Sequence, residues 1–255
     1  MARIFITGST DGLGRAAART LIEDGHEVVL HARNAERTPA VAELAPRAAG
    51  IVIGDLGSRA ETLNVAEQVN ALGRMDAVIH NAGLYNVPER GSTPEGHATT
   101  LAVNSLAPYL LTALIERPER LVYLSSGLHR GGEGSLDDID WTRRRWDPAR
   151  AYAESKLHVV ALAFAVARRW PGVLSNAVDP GWVRTRMGGP SAPVDLDTGQ
   201  RTQSWLAASD SPEAKISGRY WHAMRQEPPA RQAGDVAFQD ALIDRLAELT
   251  GVALP

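Results

Sequence analysis

Short runs of apolar and β-branched residues alternate along the chain with longer segments in which apolar residues recur every three or four positions. Runs of about 4–8 apolar residues are typical of buried strands, whereas the longer repeat indicates helices. Six of the short runs are predicted to be strands: RIFIT (3–7), HEVVLHA (26–32), GIVIGD (50–55), DAVIH (76–80), RLVYLSS (120–126) and VLSNAVD (173–179).

Helical patterns, among them GRAAARTLIED, ETLNVAEQVNAL and ESKLHVVALAFAVARRW, separate these runs. Strands that alternate with helices predict βαβ units and a parallel sheet that carries helices on both faces. No linker, repeat or low-complexity segment interrupts the alternation, so we predict one doubly wound α/β domain over residues 1–255. SGRYW (217–221) is a candidate further strand, and DVAFQDALIDRLAELTG is a candidate closing helix.

Two polar stretches, 127–148 and 184–199, break this alternation. Loops of that length in a small domain are usually functional or mobile. Because GGPSAP and DSPEAK interrupt the helical pattern with glycine and proline, we predict a hinged lid over a substrate at about 186–225. The block WTRRRW (141–146) sets arginines between tryptophans, as in some nucleic-acid sites, but a single basic triplet favours a solvated turn.

Composition narrows the class of protein. The chain has 255 residues, 44% of them hydrophobic and 22% charged, which is typical of a globular domain. A net charge of −3 gives no electrostatic reason to expect a nucleic acid or an anionic membrane as partner. The absence of cysteine excludes disulfides and thiolate metal sites. With no signal-peptide pattern and no membrane-spanning apolar run, we expect a cytoplasmic protein.

A glycine-rich turn, ITGSTDGLGRAAA, joins the first strand to the first helix. Glycines there let the backbone approach a phosphate, which then lies at the positive end of the helix. The spacing matches neither G-x-G-x-x-G nor a P-loop, and a tight turn without a ligand is the alternative. The candidate binding residues are Gly8, Ser9, Thr10, Asp11, Gly12, Leu13 and Gly14.

Further candidates follow the next strands, at the sheet edge where ligands bind in this fold class. Arg33 ends the second strand, where an acidic residue would accept a ribose 2′-hydroxyl and an arginine favours a 2′-phosphate. We therefore expect NADP(H), with NAD(H) as the alternative. The residues after the third and fourth strands are Asp55, Leu56, Asn81, Ala82 and Gly83, and turn residues also gather at such positions for structural reasons alone.

Tyr152 and Lys156 lie four residues apart in AYAESK, so they share one face of a predicted helix that Asp147 caps and Pro148 begins. Taken alone, the pair is more typical of two ordinary surface residues. Other chemistries lack their motifs: the seven histidines form no H-E-x-x-H pair, and no G-x-S-x-G occurs. We therefore predict neither a catalytic metal nor a serine hydrolase.

Together these motifs resemble the short-chain dehydrogenase/reductase family over essentially the whole chain. The resemblance implies a Rossmann-type sheet and an oxidoreductase that moves a hydride between a nicotinamide and a carbonyl or alcohol carbon. The matching positions are Thr7, Gly8, Gly12 and Gly14 (Thr-Gly-x-x-x-Gly-x-Gly), 81–83 (Asn-Ala-Gly), Asn104, Ser126, Tyr152 and Lys156 (Tyr-x-x-x-Lys), Pro180 and Gly181 (Pro-Gly), and Val183 and Thr185 as cofactor contacts.

The resemblance also implies a role for each catalytic residue. Tyr152 would exchange a proton with the substrate oxygen, Ser126 would hydrogen-bond the same oxygen, and Lys156 would hold the nicotinamide ribose. Asn104 would support a water that relays protons to Lys156. A lysine one turn away and an oxidised nicotinamide would both lower the pKa of the Tyr152 phenol.

One departure concerns the interval of 26 residues from Ser126 to Tyr152, which is longer than in most family members and is similar to the retinol-dehydrogenase-like branch. This likeness suggests a bulky, apolar ketone or aldehyde. Leu84, Tyr85, Leu128 and His129 are the candidates for lining the substrate site. A second group of bulky residues could also line an apolar substrate pocket but is more typical of core: Trp182, Met187, Trp205, Tyr220 and Trp221.

Two alternatives remain open from the sequence. A non-catalytic dinucleotide-binding regulator or scaffold could keep the same fold. Family members also pair helices into homodimers or homotetramers, and KLHVVALAFAVARRW is apolar enough for that pairing. Burial of this helix within one chain would explain its composition equally well.

Overall fold

Eight strands form one sheet in the computed structural model, which describes all 255 residues. The spatial order is β3-β2-β1-β4-β5-β6-β7-β8, and every neighbouring pair is parallel except the last. The predicted doubly wound sheet is therefore confirmed. The strands are β1 (Arg3–Ile6), β2 (Glu27–Ala32), β3 (Gly50–Ile53), β4 (Ala77–His80), β5 (Arg120–Leu124), β6 (Leu174–Asp179), β7 (Tyr220–His222) and β8 (Arg225–Glu227).

Seven helices cover the sheet. Several begin at an aspartate or serine whose side chain accepts a backbone N–H of the first turn, which satisfies donors that have no partner within the helix. Asp147 accepts from Ala149 and Arg150 at 3.0 Å, so the predicted cap of the long helix is confirmed. The helices are α1 (Gly12–Glu23), α2 (Arg59–Ala71), α3 (Thr99–Leu101), α4 (Ala107–Leu114), α5 (Pro148–Arg169), α6 (Leu196–Ala208) and α7 (Val236–Thr250).

The hydrophobic core lies on both faces of the sheet. Alternate strand residues point to opposite faces, as Ile4 and Ile6 do relative to Phe5 in β1. One face packs against α1 and α6, and the other against α2, α4, α5 and α7. Because both faces are buried, the strands are apolar throughout rather than alternating with polar residues.

Helix α5 is buried within this one chain. Its residues from Ala151 to Ala163 are all buried, and α7 packs along it. The apolar character that could have indicated helix pairing between subunits is thus accounted for inside the chain, and self-association stays a prediction. None of the helices combines the length and the hydrophobicity needed to cross a bilayer.

The polar stretch before α5 is an ordered connection, and the prediction of a solvated turn at WTRRRW is confirmed only in part, because Arg143 and Arg145 are exposed whereas Trp141 is not. Trp141 is buried, and its indole N–H donates to Glu154 of α5 at 3.1 Å. Arg144 lies 3.6 Å above the Trp141 ring and donates to the same carboxylate at 2.8 Å. Tertiary burial therefore holds Trp141 and Arg144 against α5, so Arg144 serves packing.

The segment predicted as a lid, 186–225, is not one continuous loop. It includes α6, whose Leu206 and Ala207 are buried against the sheet, and β7, which pairs with β6. Its boundary must change, because a helix and a strand packed in the core cannot swing with a loop. The prediction of a mobile lid is therefore narrowed to the stretch from 186 to 195, and its mobility stays a prediction.

Candidate active site

The predicted site residues gather at the carboxyl edge of the sheet, because parallel strands end at the same edge. The loops after β1, β4, β5 and β6 lie side by side there. Two contacts show how close these loops come. A Cβ at Gly83 would lie 3.2 Å from Lys156 Nζ, and a Cβ at Gly12 would lie 3.4 Å from Thr185 Cγ2.

The glycine loop after β1 has the geometry of an anion cradle. Gly8 and Gly12 have φ values of 65° and 51°, in the left-handed region that favours glycine. A Cβ at Gly14 would overlap the Gly8 carbonyl oxygen and the Asn81 side chain. The backbone N–H groups of Leu13 and Gly14, in the first turn of α1, have no acceptor within the chain. Donors at a helix N-terminus suit a phosphate, so the residues present fit a dinucleotide.

Thr7 and Asn81 tie the glycine loop to the turn after β4. The Thr7 hydroxyl oxygen accepts the backbone N–H groups of Asn81 at 2.9 Å and Ala82 at 3.0 Å. The Asn81 side chain donates to the carbonyl oxygens of Thr7 at 2.9 Å and Gly8 at 3.3 Å. The structure thus brings the Thr-Gly and Asn-Ala-Gly motifs together as one unit.

Sequence reasoning missed His31, which holds the start of this loop. Its ring is buried and accepts the Gly8 N–H at 2.9 Å, and its backbone N–H donates to the Ser9 hydroxyl at 2.7 Å. Burial lowers the pKa of His31 to about 4. Ser9 is fully buried and its amide donates to the His31 carbonyl, so we assign Ser9 to supporting the loop instead of contacting a ligand. An unusual histidine inside a buried strand was the signal available in the sequence.

On the adenosine side, the exposed Arg33 follows β2 and forms no ion pair. Arg37, which the sequence did not single out, lies 3.6 Å from Asp11, whose other oxygen caps α1 at the Gly12 N–H. The negative charge of Asp11 therefore has its own cation. Asp55 accepts the Gly57 N–H at 2.8 Å, which shapes the turn after β3 and leaves Leu56 buried beside it.

Asn104 lies in a single π-helical turn, Ala102–Leu106, between α3 and α4. Such turns are frequent at functional sites. Its side chain exchanges two hydrogen bonds with the backbone of Leu84, at 2.8 and 2.9 Å, and donates to Ser155 at 2.9 Å. Asn104 therefore holds the loop after β4 against α5.

Tyr152 and Lys156 share one buried face of α5, as their spacing predicted. Lys156 Nζ lies 5.7 Å from the centroid of the Tyr152 ring and donates to the Leu124 carbonyl at the end of β5 at 2.8 Å. Burial lowers the pKa of Lys156 to about 8. An ammonium has three donors, so two remain for a ligand.

The pKa of Tyr152 differs from the sequence expectation. Burial raises the pKa of Tyr152 to about 12, and the Ser126 hydroxyl acts in the opposite direction. Asp179, at the end of β6, and Tyr85 add to the increase. The lysine does not outweigh burial in the protein alone, so the Tyr152 phenol is neutral.

Ser126 begins a 3₁₀ turn after β5, and its hydroxyl oxygen accepts the Leu128 N–H at 3.3 Å. His129, predicted to line the substrate site, is fully buried instead. Its Nδ1 bonds the Ser126 carbonyl at 2.7 Å, and its Nε2 accepts the Ala230 N–H at 2.9 Å. His129 therefore holds the backbone of Ser126 in place. Because both of its ring nitrogens are already bonded within the protein, neither is free to contact a substrate.

The loop after β6 carries the last predicted cofactor contacts. Gly181, following Pro180, has a φ of 80°, and its N–H donates to Asp179 at 2.9 Å. Val183 is buried, and the Thr185 hydroxyl accepts the Gly188 N–H at 3.0 Å. These bonds curl the loop back toward the glycine loop, where Thr185 faces Gly12.

Large apolar side chains are exposed around this edge. Seven large apolar residues are exposed in the whole protein. Four of them belong to loops after β4, β5 and β6, with exposed fractions between 42% and 57%. They are Tyr85, Leu128, Trp182 and Met187. The Tyr85 ring packs edge-on against Tyr152 at 4.7 Å. The expectation of a core position is therefore wrong for Trp182 and Met187, whereas Trp205, Tyr220 and Trp221 belong to the core or pack against it, as expected.

Comparisons with known proteins agree with this geometry. Residues 2–121 match the family model for the short chain dehydrogenases. The chain is 42% identical to the short-chain dehydrogenase chry4 of Gibberella zeae, over 100% of this chain and 99% of that protein. It is 29% identical to retinol dehydrogenase 13 of Homo sapiens, over 99% of this chain and 85% of that protein.

A crystal structure of an uncharacterised Mycobacterium paratuberculosis protein superimposes with a TM-score of 0.84 at 26% identity, covering 100% of this chain and 95% of that one. The chain therefore belongs to the short-chain dehydrogenase/reductase family, whose members are oxidoreductases.

Proposed function

We propose that this protein is an NADP(H)-dependent oxidoreductase that interconverts a bulky, apolar ketone or aldehyde and its alcohol. One observation carries the proposal: Tyr152, Lys156 and Ser126 meet at the sheet edge beside a glycine cradle that fits a dinucleotide. A non-catalytic dinucleotide-binding regulator would not need the acid, its lysine and the serine in one place.

When bound, the nicotinamide would supply or accept the hydride. The protein side of the reaction belongs to Tyr152 and Ser126. Because the Tyr152 phenol is neutral, it can donate its proton to the carbonyl oxygen as negative charge develops there, and it can take the proton back in oxidation. The Ser126 hydroxyl would hydrogen-bond the same oxygen. The two free donors of Lys156 would hold the ribose.

The preference for NADP(H) rests on two arginines. Arg33 is exposed and unpaired at the end of β2, and Arg37 lies close to the same edge. Guanidinium groups bind phosphate through paired hydrogen bonds and stack on flat rings, which suits a ribose 2′-phosphate beside adenine. The Arg37 ion pair also offsets Asp11, the one acid in the glycine loop.

The substrate class follows from the exposed apolar side chains at the mouth of the site. Tyr85 packs against the Tyr152 ring, and Leu128, Trp182 and Met187 are exposed on the neighbouring loops after β5 and β6. A bulky, apolar substrate would cover this surface, whereas a small polar carbonyl would leave it in contact with water. Retinol dehydrogenase 13, whose name specifies a large apolar alcohol, is one of the relatives.

NADPH oxidation over a graded set of carbonyl compounds tests the proposal. The set should pair short and long aliphatic aldehydes with monocyclic and polycyclic ketones of similar reactivity. We expect kcat/KM to rise with apolar size, and a Leu128→Ser variant to reduce the gain for the large compounds while sparing the small ones. NADPH binding without turnover of any compound in either direction would favour the regulator instead.

We also propose that part of the region predicted at 186–225 closes over bound substrate. The segment from 186 to 195 carries Met187, two consecutive glycines and two prolines, and it connects the cofactor loop to α6. Closure would exclude water from the reacting carbonyl and bring Met187 over the substrate.

A further inference from the structure

His31, in β2, joins two loops at the edge of the sheet. Its Nδ1 accepts the Gly8 N–H at the start of the glycine loop at 2.9 Å. Its Nε2 lies 2.9 Å from the Gly54 carbonyl oxygen, directly before the turn that carries Asp55 and Leu56. The side chain is 3% exposed, so water does not compete for these bonds.

These two partners determine the tautomer of the ring. A backbone N–H can only donate and a carbonyl oxygen can only accept, so the proton lies on Nε2 and the lone pair on Nδ1 faces Gly8. The imidazole is therefore neutral, in agreement with a pKa that burial lowers to about 4. The bond to Gly54 is what makes Nδ1 an acceptor.

The backbone of His31 holds the following residue of the same loop. Its N–H donates to the Ser9 hydroxyl at 2.7 Å, and its carbonyl accepts the Ser9 N–H at 3.2 Å. Gly8, between this anchor and β1, has the left-handed φ of 65° that turns the chain under the phosphate position. His31 thus holds the first two residues of the glycine loop, Gly8 through its side chain and Ser9 through its backbone.

We propose that His31 is a positioning residue for the dinucleotide: its Nδ1 lone pair sets the Gly8 amide, and with it the glycine loop, in the conformation that binds the pyrophosphate. This inference rests on the proposed function. It adds a residue that touches no reacting atom and whose contribution is specific to one ring nitrogen. An ordinary buried histidine would contribute volume and general stability instead.

Two substitutions separate the ring nitrogens. In His31→Asn, the side-chain oxygen can occupy the position of Nδ1 and accept from Gly8, while the bond to Gly54 is lost. In His31→Gln, the amide nitrogen can reach the position of Nε2 and donate to Gly54, while Gly8 loses its acceptor. Ser175→Ala serves as the control. It removes one buried hydrogen bond, from the Ser175 hydroxyl to the Ala163 carbonyl, at the amino end of β6 and therefore at the sheet edge away from the glycine loop.

Three measurements are made on each variant: the Kd for NADPH by calorimetry, amide hydrogen exchange of residues 8–14 without cofactor, and the urea unfolding midpoint. We expect His31→Gln to raise the Kd about tenfold, which corresponds to about 1.4 kcal/mol, and to speed exchange in residues 8–14. His31→Asn should keep the Kd within about threefold of wild type, and Ser175→Ala should leave it unchanged.

Equal weakening by the Asn and Gln variants, in proportion to their lost stability, would overturn the proposal and make His31 a structural core residue. If wild type bound no NADPH, the proposed function would fail instead. The exchange measurement would still decide the role of His31, because unchanged protection of residues 8–14 in the Gln variant would refute the positioning role without reference to any ligand.

Discussion

Replacing Lys156 by methionine should stabilise the cofactor-free protein at neutral pH while removing a group that the proposed reaction needs. The Lys156 side chain is 5% exposed and has no carboxylate partner; its one bond is to the Leu124 carbonyl. Burial lowers the pKa of its ammonium from 10.5 to about 8. The lowering corresponds to roughly 3 kcal/mol of stability lost by burying the charge. Methionine has a similar length and carries no charge.

The same pKa predicts how the effect depends on pH. Between pH 8 and 10.5 folded wild type has released the Lys156 proton while the unfolded chain still holds it. Since the unfolded state then binds more protons, the stability of wild type rises with pH across this window. The methionine variant lacks this contribution. The amount by which its free energy of unfolding exceeds that of wild type should therefore decrease by about 2–3 kcal/mol from pH 7 to pH 10.

Urea unfolding of both proteins at pH 7 and pH 10, without cofactor, measures this difference. Other titrating groups are common to both proteins and cancel. The chain has one other lysine, Lys215, which is exposed and paired with Asp210 at 3.0 Å. Lys215→Met is thus a matched control, and the difference between its free energy of unfolding and that of wild type should change little with pH. If the difference in free energy of unfolding between Lys156→Met and wild type is the same at both pH values, the argument that a buried charge destabilises the free protein is refuted.

Three further predictions concern the proposed reaction. Tyr152→Phe should lower turnover by at least about 100-fold with nearly unchanged NADPH affinity, because only the acidic hydroxyl is lost; steady-state rates within tenfold of wild type would contradict this. Arg33→Asp should lower kcat/KM for NADPH about tenfold or more and change kcat/KM for NADH far less. Arg219→Asp makes the same charge change at the opposite edge of the sheet and should change kcat/KM for neither cofactor. A wild-type preference for NADH would show that Arg33 is structural. Hydrogen exchange over residues 186–195 should slow when NADPH and a substrate analogue bind, and equal, strong protection with and without them would exclude closure.

Patterns that lie within one stretch of chain predicted most of the fold. Alternating strands and helices, the capping Asp147, and the four-residue interval between Tyr152 and Lys156 depend on local geometry, and each appears in the structure as expected. The glycine turn was predictable for the same reason, because positive φ angles and a helix N-terminus are properties of neighbouring residues. The short antiparallel strand β8 was not predicted, since its three residues carry no apolar pattern.

Contacts between distant residues decided the rest. His31 meets partners 23 positions away in both directions along the chain, and His129 meets Ala230 across 101 positions, so neither role could be inferred from spacing. The sequence argument for Tyr152 considered the nearby lysine, but the pKa depends most on burial, which only the packing of loops around the ring creates. Residue types and intervals determined which groups this protein could use. Tertiary burial determined their protonation and their partners, because the free energy of a charge or hydrogen bond depends on how much water the surrounding chain excludes.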